Sequence, residues 1–343
     1  YIEGAYQRNM RLAFRVVVDS RDKRTEFTPQ FVKDAGAKGF MNKGKWSPYS
    51  DDPVFQKYYT KFVKALAKDF NDPSKVEFID GFGLGKWGEY HTMIYSTGDD
   101  TPKKAVFNWV TDIYSQAFDK VPVVINYHRW IGAGKDWVDD EHFAADSEEM
   151  LEEAIKKGYS LRHDAFGMTT YYGSWERRFA EKYRNICPII MEGGWIVKSH
   201  NYWQDPRGYR KDSHEDVRRG EFDDSKEAHV NMMDFRFGDT ESWFKDAFDL
   251  VRRFLREGGY RLYPSEISLP LEVSKKTTPT IKHCWNNLGW GYCPTNIPQW
   301  NQKYKVAFAL LDSETNEVRY TFVDTDTAVS YTHLRAHETG RNL

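Results

Sequence analysis

Apolar positions along this chain alternate between two periods. Residues 11–20 (RLAFRVVVDS), 76–83, 121–130 (VPVVINYHRW), 159–168, 187–196 and 229–235 are short, β-branched and apolar at most positions, as strands buried on both faces of a parallel sheet are. Between them the period changes to that of a helix. In residues 54–70, Phe55, Tyr58, Tyr59, Phe62, Val63, Leu66 and Phe70 recur at i, i+3, i+4 and i+7, and Pro73 follows the stop. Further helices are predicted over 101–120, with Pro102 in the first turn, over 147–157, with Ser147 as N-cap before acidic residues, over 175–184, and over 240–257, ended by Gly258-Gly259.

Strands and helices in alternation predict an α/β domain with parallel strands, either a barrel or a doubly wound sheet. From residue 260 the texture changes. Residues 261–273, 280–285, 304–311 and 318–323 read as short strands joined by Pro, Gly and Asn turns without a helix between them, the pattern of a small β-sandwich.

Composition narrows the function classes. Forty per cent hydrophobic and 29% charged residues, with a mean hydropathy of -0.74, describe a globular chain, and no stretch approaches the roughly 20 apolar residues of a membrane span. A formal charge of -2, with basic residues scattered among acids, carries no nucleic-acid footprint. Three cysteines without a C-x-x-C pair argue against a zinc ribbon or a thioredoxin-like site; Cys284 and Cys293 could pair across a short loop or stay as buried thiols. Aromatic content is high. Twelve Trp, 21 Tyr and 22 Phe exceed what a core requires, and Trp and Tyr faces suit flat apolar ligands such as sugar rings.

The candidate chemistry lies at the predicted strand ends. Glu89 follows the strand over 76–83 and Glu192 ends the run Ile189-Ile190-Met191, each beside Gly and Trp (Trp87 and Gly88; Gly193 and Trp195). In a (β/α) barrel such positions converge over one mouth, where two carboxyls can cleave a glycosidic bond; the alternative is a pair of solvated loop glutamates. The same stretch holds a G-x-G-x-x-G, Gly83, Gly85 and Gly88, but dinucleotide binding needs a helix opening at the third glycine, and Glu89-Tyr90-His91 follow instead. His91, His128 and His163 fall near strand ends without H-E-x-x-H spacing, so sugar or carboxylate contacts are more economical than a metal, with structural histidines as the alternative. Asp164 reads as a substrate contact or, with Arg162, as a local ion pair. There is no G-x-S-x-G elbow. No cofactor and no metal are called for. Trp46, Trp130, Trp175 and Trp195 are candidates for sugar stacking, and Trp87, Tyr127 and Tyr171 complete the candidate binding set.

These motifs carry a resemblance. GFGLGKWGEYHT resembles the acid/base segment of clan A glycoside hydrolases, and its Trp-Gly-Glu is similar to bacterial domain-of-unknown-function barrels related to family-42 β-galactosidases. RHDAFG, IMEGGW, GYRLYPSEISLP and WNNLGWGYCP follow in the same order as in those barrels. The resemblance implies a (β/α)₈ TIM-type barrel over residues 1–258 and a β-sandwich over 259–328, with Glu89 as acid/base after strand 4 and Glu192 as nucleophile after strand 7. Residues 121–130 and 159–168 are then strands 5 and 6, and 11–20 is strand 3. Strands 1 and 2 are missing from that count, so the chain is expected to begin inside a longer protein; residues 329–343 (VSYTHLRAHETGRNL) resemble a translated sequencing adapter and are expected to be non-native.

The implied activity is retaining hydrolysis of a plant or microbial oligo- or polysaccharide, with Glu89 raised in pKa by Trp87 and by the charge of Glu192. A secreted, periplasmic or cell-surface location goes with it. One departure stands out: Gly88 occupies the place where clan A members carry Asn, so a contact to the sugar 2-hydroxyl would come from Asp164 or His128, or the scaffold binds glycan without cleaving it.

Overall fold

The structure is a computed structural model that describes residues 1–22, 25–134, 141–168, 171–194, 214–235, 241–272, 274, 279–301, 306–324 and 341–342. A short helix α1 (Ile2–Tyr6) leads into strand β1 (Leu12–Arg15), and helix α2 (Gln30–Asp34) precedes a hairpin of β2 (Gly39–Asn42) and β3 (Lys45–Pro48). Then β/α units follow: α3 (Pro53–Phe70), β4 (Val76–Asp80), α4 (Lys103–Ala117), β5 (Val123–Asn126), α5 (Glu141–Lys156), β6 (Ser160–Phe166), α6 (Ser174–Tyr183), β7 (Ile189–Gly193), α7 (His214–Glu227) and β8 (Met232–Met233). A π-helical turn over Ser242–Asp246 and helix α8 (Phe248–Glu257) close this part.

Six strands pair in parallel in the order β1-β4-β5-β6-β7-β8 and form a curled half-barrel. The resemblance implies an eight-stranded barrel with strands 1 and 2 missing from this chain, and the described residues form six parallel strands, the sheet ending at β1 on one side and at β8 on the other, so that no full barrel is formed among them. The strands are shorter than their apolar runs because pairing stops where the backbone turns away into loops; β1 keeps only four of the ten residues in its run.

Strand alternation sorts the side chains. Phe14, Ile79, Val123, Ile125, Leu161, Ile189 and Met191 belong to the apolar core beneath the helices, whereas the alternate positions Arg15, Asp80, Asn126, Arg162, Asp164 and Glu192 share the opposite, concave face. Phe14 meets Phe70 of α3 edge-on, with ring centroids 5.2 Å apart. Helix α3 starts where Asp52 accepts a hydrogen bond from the Phe55 N–H and Pro53 takes the first turn. Its buried stripe is Phe55, Tyr59, Val63 and Ala67; Phe62, expected on that face, is 44% exposed because it lies just beyond the edge of the stripe. Ser147, expected as an N-cap, lies inside α5 instead, and its hydroxyl accepts the Ile131 N–H at 2.9 Å.

Two tyrosines fix the exit of β4. Tyr159 donates to Gly81 O at 2.7 Å and Tyr59 to Phe82 O at 2.9 Å, so both carbonyls just past the strand are satisfied from the core.

Beyond Gly258 the strands are antiparallel. β9 (Leu262–Ser268) pairs with β10 (Thr280–Asn287), and after helix α9 (Pro298–Asn301), β11 (Val306–Leu311) pairs with β12 (Val318–Asp324). The two terminal residues of β13 (Arg341–Asn342) add to β10; the rest of the tail over 329–343 lies outside the described residues. His283 of β10 reaches Asp324 of β12 at 3.4 Å. Cys187, Cys284 and Cys293 are free thiols, so the optional Cys284–Cys293 bridge is not formed.

The segment after β10 docks on the half-barrel. Trp290 donates to Val230 O at 2.9 Å and Trp300 to Ser160 Oγ at 2.8 Å, at the start of β6. The Gly291 N–H donates to Gly259 O at 2.7 Å, and Gly289 makes this backbone approach possible, because a Cβ there would lie 2.0 Å from Gly259 O. Gly289→Ala is therefore expected to cost about 2 kcal/mol or more. Urea unfolding measures it, and an unchanged midpoint would remove this docking contact from the account of stability.

Candidate active site

Glu89 is carried by a loop of unusual backbone. Between Gly83 and Thr92, six residues have left-handed φ: Gly83, Gly85, Trp87, Gly88, Tyr90 and Thr92, three of them not glycine. Such conformations each cost of order 1 kcal/mol or more and persist only where the surroundings impose them. Here hydrogen bonds do so. Tyr90 N–H donates to Leu84 O, Lys86 N–H to His91 O, and the Tyr90 hydroxyl to Lys103 O at 2.8 Å. The loop contains one 3₁₀ turn (Lys86–Gly88), and the next helix opens only at Lys103, so there is no helix N-terminus for a pyrophosphate.

Gly88 stands where the resemblance would place an Asn. Its φ is +77°, and a Cβ would meet Val16 O at 2.9 Å and Arg15 Cδ at 3.0 Å. The space a side chain would need is filled by the Val16 carbonyl and Arg15.

Arg15 organises the concave face. Its Nε donates to Asp80 Oδ2 at 2.8 Å, Nη1 to Glu89 Oε1 at 2.5 Å and to Trp87 O at 3.2 Å, and Nη2 to Glu192 Oε2 at 3.3 Å. Arg162 repeats the motif from β6: its Nε reaches Asp80 Oδ2 at 2.9 Å, its Nη1 pairs with Glu192, and its Nη2 lies 3.9 Å from Glu89 Oε1. A planar guanidinium holds its end nitrogens only a couple of ångströms apart. Bridged in this way, Glu89 Oε1 and Glu192 Oε2 lie within about 8 Å of each other, inside the span used by two-carboxylate glycosidases. Burial alone would lower the affinity of both arginines for their protons. For Arg15 the charges of Asp80, Glu89 and Glu192 reverse that, and for Arg162, further opposed by Arg15, those of Glu192, Asp80 and Asp164 do; both stay charged.

Glu89 is buried, and its carboxyl is pushed up to about 7. Burial is the main cause and the charge of Asp164 the next, opposed by Arg15 and by the hydrogen bond from His91. Glu192 and Trp87, expected to raise it, are not among the causes. Asp164 moves the other way: burial would raise it, but the hydrogen bond from Glu89 and the charges of Arg162 and His91 hold it well below the usual carboxylate range.

The remaining candidates divide. His91 Nε2 is 3.3 Å from Glu89 Oε2, and its Nδ1 contacts Thr92 Oγ1. His128 donates from Nε2 to Glu89 O at 2.8 Å and accepts the Trp130 N–H at Nδ1, which fixes the neutral tautomer. Trp87, 38% exposed and edge-on to His91 at 5.7 Å, lies beside Glu89 with the Lys86 ammonium 4.2 Å from its ring centre over one face. Trp130 is buried under the Arg129 guanidinium, 3.8 Å above its ring.

Others face away. Tyr127 and His163 sit on the helix side of their strands: Tyr127 stacks on Phe179 and hydrogen-bonds Tyr172, and His163, edge-on to Tyr127, Phe166 and Tyr172, accepts the Ala165 N–H and stays neutral, its pKa lowered by burial to about 3. Trp175 stacks on Phe179 of the same helix. Trp46 is buried in the β2–β3 hairpin, and Tyr171 packs beside Ala165, Met168 and Val217. Trp195 lies outside the described residues. Among the described residues no three His, Cys, Asp or Glu side chains form a metal-holding group, and no helix is long and apolar enough to cross a membrane.

Arg15, Asp80 and Asn126 were missed as site residues. The available signal was a charged or amide side chain at an alternate position of an otherwise apolar strand. Asp80 Oδ1, Arg162 Nη2 and both amide atoms of Asn126 are buried without a hydrogen-bond partner among the described residues, which makes the floor of the concave face polar.

No family model and no curated protein sequence matches the chain. Two solved structures of endo-glycoceramidase II from Rhodococcus sp., one with a five-membered iminocyclitol and one with a cellobiose-like isofagomine, are similar at 11% identity and a TM-score of 0.31, over 96% of this chain and 80% of theirs. At that level the geometry of the site has to carry the functional reading.

The raised Glu89 has a consequence for stability. The folded protein holds a proton that the unfolded chain releases near the usual carboxylate value, so between about pH 4.5 and 7 the folded state binds more protons and stability falls as pH rises. Glu89→Gln removes this slope. Between pH 5 and 8 the wild type should lose about 2 kcal/mol more than the variant, as read from denaturant unfolding at each pH; parallel curves would show that Glu89 titrates normally.

Proposed function

We propose that this chain is a retaining glycoside hydrolase acting on β-linkages of a plant or microbial glycan, outside the cytoplasm, with Glu89 as acid/base and Glu192 as nucleophile. One observation carries the reading: Arg15 and Arg162 draw a carboxyl from the end of β4 and a carboxylate from the end of β7 to one point on the concave face. Strand C-terminal ends are where (β/α) barrels place their chemistry. The residues up to 258 would form the catalytic unit and 259–328 a β-sandwich packed against it.

Each carboxyl suits its role. Glu89, protonated near neutral pH, can give its proton to the leaving oxygen. Glu192, a fifth of its side chain open and paired with two guanidiniums, can attack the anomeric carbon as an anion and form the glycosyl-enzyme, which water then releases with Glu89 acting as base. Trp87 offers a platform for a sugar ring. Asp80 anchors both arginines and has no direct part in the chemistry.

A second reading has its own support. Arg15 lies between the two carboxyls, where an anomeric carbon would have to enter, and with Gly88 in place of Asn that arrangement also suits a protein that binds glycan without cleaving it. Substitution separates the two readings. Glu192→Gln is expected to lower turnover of an aryl β-glycoside by at least about 10³-fold with glycan binding retained, and Glu89→Gln to lose about 10²- to 10⁴-fold, less with an activated leaving group. A wild-type protein that binds a broad glycan panel and cleaves none of it refutes the hydrolase.

A further inference from the structure

Glu89 presents its two carboxyl oxygens to unlike neighbours. Oε1 faces two cations, Arg15 Nη1 at 2.5 Å and Arg162 Nη2 at 3.9 Å, whereas Oε2 has the imidazole Nε2 of His91 at 3.3 Å. A guanidinium only donates and keeps its protons, so Oε1 is the worse place for a proton and the acid proton belongs on Oε2. The His91 ring is fixed against that oxygen. It is buried and meets the rings of Trp87 and His128 edge-on, at 5.7 and 5.8 Å. Its backbone is held on both sides: His91 O accepts the Lys86 N–H at 3.1 Å, and Thr92 O accepts from Arg21 Nη2 at 2.6 Å, Arg21 being itself paired with Asp19. On the far side of the ring, Nδ1 is 3.0 Å from Thr92 Oγ1, a hydroxyl able to donate to it.

We propose, resting on the hydrolase reading, that His91 is a positioning residue for the acid: with Nδ1 accepting from the Thr92 hydroxyl, its Nε2–H donates to Glu89 Oε2, the oxygen that carries and delivers the proton. A hydrogen bond to an anion is stronger than one to a neutral acid, so this contact tightens as the proton leaves and makes Glu89 the stronger acid. In the first half of the reaction the glycosidic C–O bond breaks as Glu192 bonds the anomeric carbon, and the leaving oxygen takes the proton from Oε2. In the second, water gives a proton back to Oε2 while its oxygen bonds the anomeric carbon and the Glu192 ester bond breaks. Glu89 is then protonated again and Glu192 free. The other groups facing Glu89 are Arg15 from β1, with Asp80 of β4 behind it, His128 through the Glu89 carbonyl, Arg162 from β6 and Glu192 from β7 across the guanidiniums, and the charge of Asp164. Arg15 and His91 favour the Glu89 anion, and Asp164 opposes it.

The test reads the His91 ring nitrogens by ¹⁵N NMR and the Glu89 carboxyl carbon by ¹³C NMR, each assigned by its loss in His91→Phe or Glu89→Gln. In the wild type, Nε2 should carry a proton on both sides of the Glu89 midpoint; a bare Nε2 overturns the proposal, even if His91→Phe fails to fold. In His91→Phe the Glu89 midpoint should rise by roughly half a pH unit to one unit, and His91→Gln, whose amide nitrogen can stand where Nε2 does, should restore it. An unchanged midpoint in His91→Phe overturns the proposal. The alkaline limb of kcat/KM should rise with the midpoint, and the plateau should fall several-fold for an alkyl glycoside but hold for a dinitrophenyl glycoside, whose leaving group needs no proton; equal losses on both overturn the role in acid catalysis. The titrations need no substrate. A midpoint that depends on His91 in a protein that cleaves no glycan overturns the hydrolase and not the hydrogen bond, whereas cleavage with a midpoint indifferent to His91 overturns the role of His91 and not the hydrolase.

Discussion

The constraint on which the rest depends is the pairing of buried charge on the concave face. A guanidinium or carboxylate taken out of water costs several kcal/mol unless it is matched closely by partners and hydrogen bonds. Arg15 satisfies that condition by spending its Nε, Nη1 and Nη2 on Asp80, Glu89, Trp87 O and Glu192 at once, and Arg162 satisfies it from the neighbouring side. Removing any member would strand the others. The network therefore sets the distance between the two carboxyls and ties β1, β4, β6 and β7 together across the open side of a sheet that does not close on itself.

The loop between Gly83 and Thr92 is built around the same charge. Its left-handed residues bend the chain so that Trp87 O and Glu89 both face Arg15, and Gly88, one of three glycines there with no room for a side chain, is where the arginine passes. Tyr59 and Tyr159 hold the two carbonyls at the loop's start from below, so that its conformational strain is borne by the hydrophobic layer rather than by the site. Much of the aromatic excess serves that layer. Tyr127, Trp175, Tyr172 and Phe179 stack among themselves under α6, and Trp290 and Trp300 secure the segment after β10.

Within the site, the two acids are separated by environment rather than by residue type. Glu89 is buried beside Asp164 and held protonated, while Glu192 stands between two cations at the edge of solvent. Two of the buried imidazoles stay out of this division: His128 spends its Nε2–H on the Glu89 backbone and His163 looks into the aromatic layer, so neither competes for the proton, whereas His91 hydrogen-bonds the Glu89 carboxyl.

Hydrophobic period alone determined that parallel strands alternate with helices up to Gly258 and that antiparallel strands follow, because burial on two faces or on one stripe imposes its period on any sequence. The same logic located Glu89 and Glu192 at strand ends. It could not show that Phe62 falls outside its stripe, that Ser147 lies within a helix, or that the parallel strands curl into a half-barrel rather than a doubly wound sheet, since those outcomes depend on which surfaces meet. Arg15, Asp80 and Asn126 were hidden for the same reason: a lone polar residue in an apolar run acquires meaning only when residues distant along the chain are brought against it.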